Sequence, residues 1–73
     1  MVKEKFWMSP PPLVCDLCHK PMKTGFADAR VPRLRTWGSV CLYCFKQENC
    51  RTGAGLGQVY ERRASGRWVK ILG

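Results

Sequence analysis

Two cysteine pairs constrain this chain more than any other feature. Cys15-Asp16-Leu17-Cys18 and Cys41-Leu42-Tyr43-Cys44 are both C-x2-C, with 22 residues between them. Two intervening residues let a tight turn present both thiolates to one ion from a single corner. Two such corners complete a tetrahedron at about 2.3 Å per metal–sulfur bond. The intervening segment is slightly longer than the usual spacing of paired-cysteine zinc sites. With all four positions filled by sulfur, no place is left for water. The ion expected here, one Zn2+ on Cys15, Cys18, Cys41 and Cys44, is therefore structural and not catalytic. Four-sulfur sites also hold iron, so a rubredoxin-like electron carrier is the alternative, and the strong positive charge argues against it.

Size makes such a staple necessary. With 73 residues the chain has room for one small domain, and a domain of that size is marginal on apolar burial alone. This excludes enzymes with a cleft between lobes, large cofactor folds and repeat arrays. A hydrophobic content of 45% excludes a purely disordered basic tail. No secretory signal, lipidation motif or apolar run of membrane length is read in the sequence. A reducing cytosol is expected, where paired cysteines serve as metal ligands rather than disulfides.

Two other residues compete for the metal. His19 directly follows Cys18 and could replace a weak ligand; the plainer reading is a donor to a thiolate or a solvent-exposed ring. Cys50 lies six residues after Cys44 and could swap into the site; the plainer reading is a lone thiol near a helix C-terminus. As a nucleophile Cys50 needs a general base. The only histidine belongs to the metal corner, so cysteine catalysis is not expected. Gly53-Ala54-Gly55-Leu56-Gly57 is no Walker motif, since no Gly-Lys-Ser/Thr follows, and there is no room for a βαβ unit. It reads as a flexible connection. No carboxylate pair suggests acid–base work, and the protein is expected not to be an enzyme.

Along the chain, residues 1–12 read as a flexible N-terminal arm. Pro10, Pro11 and Pro12 favour extended geometry and forbid a helix running into the first cysteine pair. Phe6, Trp7 and Met8 either pack on the outside of the domain or anchor a partner. Residues 13–73 read as a single zinc-ribbon-like domain. Its elements are a short strand over 13–18, a hairpin of strands 26–31 and 34–40 turning at Pro32-Arg33, and a helix over 42–49. A second hairpin of 58–63 and 67–72 follows the glycine loop. With Ser65-Gly66 as a two-residue turn, Glu61 faces Lys70, Arg63 faces Trp68, and Tyr60, Val69 and Ile71 share a face. The fold class is thus a small metal-stapled β-rich (α+β) domain, zinc-ribbon or treble-clef-like, with two β-hairpins and one short helix.

Charge points to what the domain meets. Thirteen Lys and Arg stand against five Asp and Glu, a formal net charge of +8. Four thiolates and one divalent ion bring this to about +6, still basic. Arg30, Arg33 and Arg35 lie in the central segment; Arg62, Arg63 and Arg67 lie in the last hairpin. A surplus this large steers binding to a polyanion or an acidic protein surface. Arginine beside Trp37, Trp68 and Tyr60 offers stacking as well as charge, which suits single-stranded nucleic acid. The same residue types also make protein-interface hot spots. The candidate partner-binding residues are Arg30, Arg33, Arg35, Trp37, Arg62, Arg63 and Arg67.

The stretch CDLC…FADAR…WGSVCLYC…GAGLGQVYE…GRWVK resembles small zinc-ribbon or treble-clef-like proteins encoded by bacteriophages, over roughly residues 13–71. The shared features are the paired knuckles, an aromatic before the second pair, a glycine loop ending in GQ-x-Y and a closing WVK. Among compact basic phage proteins of this size are transcription regulators that bind host RNA polymerase, inhibit initiation and let elongation pass terminators. The resemblance implies that function, with bacterial RNA polymerase or another transcription protein as partner, in the host cytoplasm. A monomer that does not touch membranes is expected. Direct binding of nucleic acid with little sequence preference is the alternative. The proline arm, Cys50 and the Arg30, Arg33 and Arg35 run depart from the family pattern.

Overall fold

The two hairpins form, and they join into one sheet. The computed structural model describes residues 5–8 and 10–73. Strands β1 (Gly25–Val31) and β2 (Thr36–Val40) make the first hairpin, helix α1 (Leu42–Gln47) follows, and β3 (Gly57–Arg62) and β4 (Trp68–Leu72) make the second. The order is β2-β1-β3-β4, antiparallel throughout, with β1 and β3 paired at the centre.

Strand β1 is buried along the whole of one face and, on the other, only at Phe26, since Asp28 is half-buried and Arg30 exposed; the added buried ring blurs its alternation in the sequence. One face carries small and branched residues: Ala27, Ala29, Val31, Val40 and Val59 are all buried. Helix α1 and the chain after it close over this face. Phe45 and Cys50 pack against the core there. The carbonyl of Arg51 would lie 2.6 Å from a Cβ at Gly57, so only glycine admits so close a crossing. The other face carries the large rings. Phe26 stacks on Tyr60 at 5.2 Å and meets Trp68 edge-on at 5.1 Å. Trp7 adds edge contacts to Phe26 and Tyr60, each at 5.3 Å. Pairs of this kind are worth about 0.5–1.5 kcal/mol each beyond their buried area.

Trp7 comes from the segment expected as an arm. Its described start runs antiparallel to β4: the Trp7 N–H donates to the Trp68 carbonyl at 2.9 Å, and the Lys70 N–H to the Lys5 carbonyl at 2.8 Å. Phe6 stands opposite Val69. These residues cover an edge of unpaired backbone groups that β4 would otherwise expose.

Local details differ from the sequence reading for identifiable reasons. The first turn takes residues 32–35 rather than Pro32-Arg33, since Val31 pairs with Thr36. A two-residue hairpin turn of the favoured type needs positive φ at both positions, and proline cannot supply it. Arg35 takes the left-handed conformation instead, at φ 51°. In the second hairpin Arg63 pairs with Arg67, leaving Ala64, Ser65 and Gly66 as a three-residue loop with Gly66 at φ 88°. That single extra residue shifts the register by one. Glu61 faces Val69, Arg62 faces Trp68, and Tyr60 faces Lys70. Tyr60 and Val69 therefore lie on opposite faces, because a one-residue slip exchanges them.

Residues 13–18 form no strand; one bridge between Val14 and Pro21 closes a knuckle whose turn is 16–18. The helix stops at Gln47, two residues early. Asn49 adopts φ 56°, Cys50 N–H bonds the Phe45 carbonyl and Asn49 N–H bonds the Lys46 carbonyl, a Schellman ending. The glycine loop closes on itself, with Gly53 and Gly57 exchanging backbone hydrogen bonds at 2.9 and 3.1 Å.

Candidate metal centre

The first cysteine pair sits on the knuckle. The Cys15 N–H donates to the Lys20 carbonyl, and the Met22 N–H to the Leu13 carbonyl, both at 2.9 Å. Within this turn the Cys15 sulfur accepts from the N–H groups of Leu17 and Cys18 at 3.3 and 3.5 Å. The second pair opens the helix. Cys41 is the N-cap of α1, and its sulfur accepts from the Cys44 N–H at 3.4 Å. Both corners thus aim backbone donors at sulfur, which favours the thiolate form a metal needs. A knuckle, a hairpin and a helix N-terminus are the treble-clef-like of the two expected arrangements.

The two corners are drawn together along β2. Asp16, between the first two cysteines, donates its N–H to the Ser39 carbonyl at 2.9 Å. Its carboxylate accepts the Ser39 N–H at 2.8 Å. Ser39 is two residues before Cys41, so this clasp sets the distance between the pairs.

All four sulfurs lie within 4.8 Å of one another, with Cys15 and Cys44 buried. Cys18 and Cys41 sulfurs are 3.8 Å apart. A tetrahedron with 2.3 Å bonds has edges of about 3.8 Å, so the donor set fits one ion. Its electrostatics agree. Burial alone would push the Cys15 thiol up, but N–H groups of Cys18, Cys41 and Leu17 outweigh it and bring it down to about 6. Burial, with hydrogen bonds from Cys44 to the other three cysteines, pushes its thiol far up. Four thiolates this close cannot all ionise unless a cation joins them.

The competing ligands stay outside. His19 is exposed, with φ 62° in the knuckle turn, and is not part of the sulfur group. Cys50 closes the Schellman ending, partly buried against the core. Burial, and then the charge of Glu48, raise its thiol. It is a packing residue near the helix C-terminus.

The seven candidate partner-binding residues fall into two groups that the fold keeps apart. Arg30 and Trp37 are cross-strand partners near the first turn. At the other end of the sheet the Arg62 N–H bonds the Thr24 carbonyl. Six residues of strand separate Arg30 from Thr24, roughly 20 Å. Arg33 is engaged by Glu48 at 2.9 and 3.1 Å, Arg63 lies 3.5 Å from Glu61, and the Arg67 guanidinium stands 3.9 Å above the Phe6 ring. Arg30, Arg35 and Arg62 are exposed, with no ion pair among the described residues.

Sequence reasoning missed three acids that organise these residues: Asp16 on β2, Asp28 on the Trp37 indole N–H, and Glu48 on Arg33. Strand alternation was the available signal for Asp28, which shares a face with Arg30 and, across the hairpin, with Trp37 and Ser39. No sequence signal existed for the other two.

Among the described residues, no helix is long and apolar enough to cross a membrane. Compared with family models, with curated proteins and with solved structures, the chain matches none. What it holds, a small β-rich domain with a four-cysteine group fit for one metal ion, is established by its own residues alone.

Proposed function

We propose that this protein is a non-enzymatic, zinc-stapled binding module of the cytoplasm. It acts as a monomer that docks on the transcription machinery, RNA polymerase or its complex, and modulates initiation or termination. Zinc is the ion that best suits four thiolates in a tetrahedron, and such a site has no open position for chemistry. The observation that carries the binding role is the disposition of charge. Arg30, Arg35 and Arg62 are exposed at two ends of a rigid sheet, on a chain of net charge +8. Unpaired guanidinium groups with planar forks meet carboxylate or phosphate equally well. The transcription machinery as target rests on the sequence resemblance to small phage regulators.

The test is capture from a nuclease-treated bacterial lysate on the zinc-loaded protein. Retention of RNA polymerase supports the reading; loss of every retained protein after nuclease overturns it. Metal analysis should give one zinc per chain and a colourless protein. An iron–thiolate absorption spectrum would replace the reading by an electron carrier.

A second reading, direct binding of nucleic acid with little sequence preference, is favoured by the half-exposed Trp37 beside Arg30. Binding of that kind weakens steeply as salt rises.

A further inference from the structure

Of the three tryptophans, two serve the core: Trp68 is 6% exposed and Trp7 packs on Phe26 and Tyr60. Trp37 is 47% exposed, at the open end of the sheet face that carries those rings. Its position is fixed. The indole N–H donates to the Asp28 carboxylate on the neighbouring strand, two residues along from its direct partner Arg30 and on the same face. This bond draws the ring across the sheet and uses its only hydrogen-bond donor. What Trp37 has left to offer a partner is the face of its π system.

Its surroundings are polar and cationic. Arg30 is its direct cross-strand neighbour. Ser39 pairs with Asp28, and Gln58 pairs with Asp28 from the other side. Arg35 ends the turn two residues before Trp37, exposed and without an ion pair among the described residues. Two arginines therefore stand against one carboxylate, and that carboxylate is held by the indole. A protein hot spot of this kind would be expected to sit among apolar neighbours; this ring sits among hydrogen-bonding groups and unpaired positive charge.

We infer that Trp37 is a stacking platform for one base of a single-stranded nucleic acid, with the Arg30 and Arg35 guanidinium groups taking the adjoining phosphates. The inference rests on the direct-binding reading and names its site and mode. A ring offering only its π face stacks on any base, so the site selects for single strands and not for sequence. A duplex keeps its bases stacked on one another and presents mainly its phosphates to such a surface.

The experiment uses the zinc-loaded full chain and a 12-nucleotide oligo-dT, followed by tryptophan fluorescence and by a salt titration. Binding should quench the fluorescence, and the quench should disappear in Trp37→Ala. That variant should bind roughly tenfold more weakly, the size of one stacked base, while its salt dependence stays that of the wild type. Trp37→Phe should recover most of the affinity. Arg30→Gln should instead lower the salt slope by about 0.7, the loss of one phosphate contact to a single strand. Metal content and amide chemical shifts establish that each variant is folded. If oligo-dT binds but Trp37→Ala binds as tightly as the wild type, the platform is wrong and the direct-binding reading survives. If the wild type binds no oligo-dT, the platform and that reading fail together, leaving docking on polymerase to its own capture test. If Trp37→Ala abolishes protein capture and leaves oligo-dT binding intact, the surface belongs to a protein and the inference is overturned.

Discussion

Arg33, in the first turn, closes a two-point ion pair on Glu48, the C-cap of α1, at 2.9 and 3.1 Å. The sequence places Arg33 with Arg30 and Arg35 among the candidate partner-binding residues of the central segment. Instead it ties the hairpin tip to the helix whose first turn carries Cys41 and Cys44. Of the three central arginines, Arg33 holds the hairpin while Arg30 and Arg35 remain available.

This tie should depend on pH in a definite direction. Arg33 holds the Glu48 carboxyl below its ordinary range, chiefly through the hydrogen bonds. A carboxyl lowered in the folded state stabilises the fold above its unfolded value and loses that contribution as pH falls through the lowered folded value. Amide exchange in residues 33–35, taken relative to the intrinsic rate at each pH, should therefore quicken on acidification through and below the usual glutamate range. In Glu48→Gln it should already be quick at neutral pH and respond little. The pair is surface-exposed, so the melting temperature should fall only slightly, and salt should reduce the difference. Equal exchange in both proteins at neutral pH would show that the pair restrains nothing.

Metal and fold should be one event. The metal-binding free energy of such sites is about 10–16 kcal/mol at pH 7, whereas a domain of this length has a total stability of roughly 4–10 kcal/mol. Chelation should therefore collapse the amide chemical-shift dispersion, and Cys15→Ser or Cys44→Ser should fail to retain the ion. Cys50→Ser should keep one metal per chain, since that sulfur lies outside the group. A well-dispersed spectrum from metal-free protein would remove the staple from the account.

How far the sequence spoke can be seen in particular residues. The four ligands were legible because C-x2-C is a local geometric unit whose function needs no tertiary information. Both hairpins and the helix start were legible from their flanking turns. The register of the second hairpin was not, because Ala64-Ser65-Gly66 accepts a two- or three-residue loop, and only packing of Tyr60 and Trp68 on Phe26 decides between them. The docking of Trp7 was left open for a related reason. It depends on β4 having a free edge, a property of the assembled sheet and not of the segment. Glu48, Asp28 and Asp16 each act across at least nine residues of sequence, and only for Asp28 does strand alternation point to the partner.

Trp7 should therefore contribute to stability, not only to solubility or partner capture. Its ring touches both Phe26 and Tyr60, and its N–H bonds β4. Trp7→Ala should cost about 2 kcal/mol, less than a fully buried tryptophan because the ring is half-buried. Phe26→Ala, at the centre of the same cluster and fully buried, should cost about 3–5 kcal/mol and leave little folded protein. Denaturant unfolding of the zinc-loaded variants measures both. A Trp7→Ala protein as stable as the wild type would return residues 5–8 to the role of an arm.

Two glycines separate strain from crowding. Gly66 has φ 88° and nothing within 4 Å of an added Cβ, so Gly66→Ala pays only for the left-handed conformation, about 1 kcal/mol. Gly57 has an ordinary conformation but no space. An added Cβ would lie 2.6 Å from the Arg51 carbonyl and 2.8 Å from the Ala29 Cβ. Neither neighbour is the flexible end of a side chain. Gly57→Ala must push the segment after α1 off the sheet face, and overpacking of this kind costs about 1–3 kcal/mol. The displaced segment follows Cys50, whose side chain and Phe45 seal that face, so the damage should spread to the helix. The expected ranking is Gly57→Ala less stable than Gly66→Ala, with exchange accelerated across residues 45–53 in the former and confined to residues 63–67 in the latter. The reverse ranking would mean that the chain after α1 does not cross the sheet at Gly57.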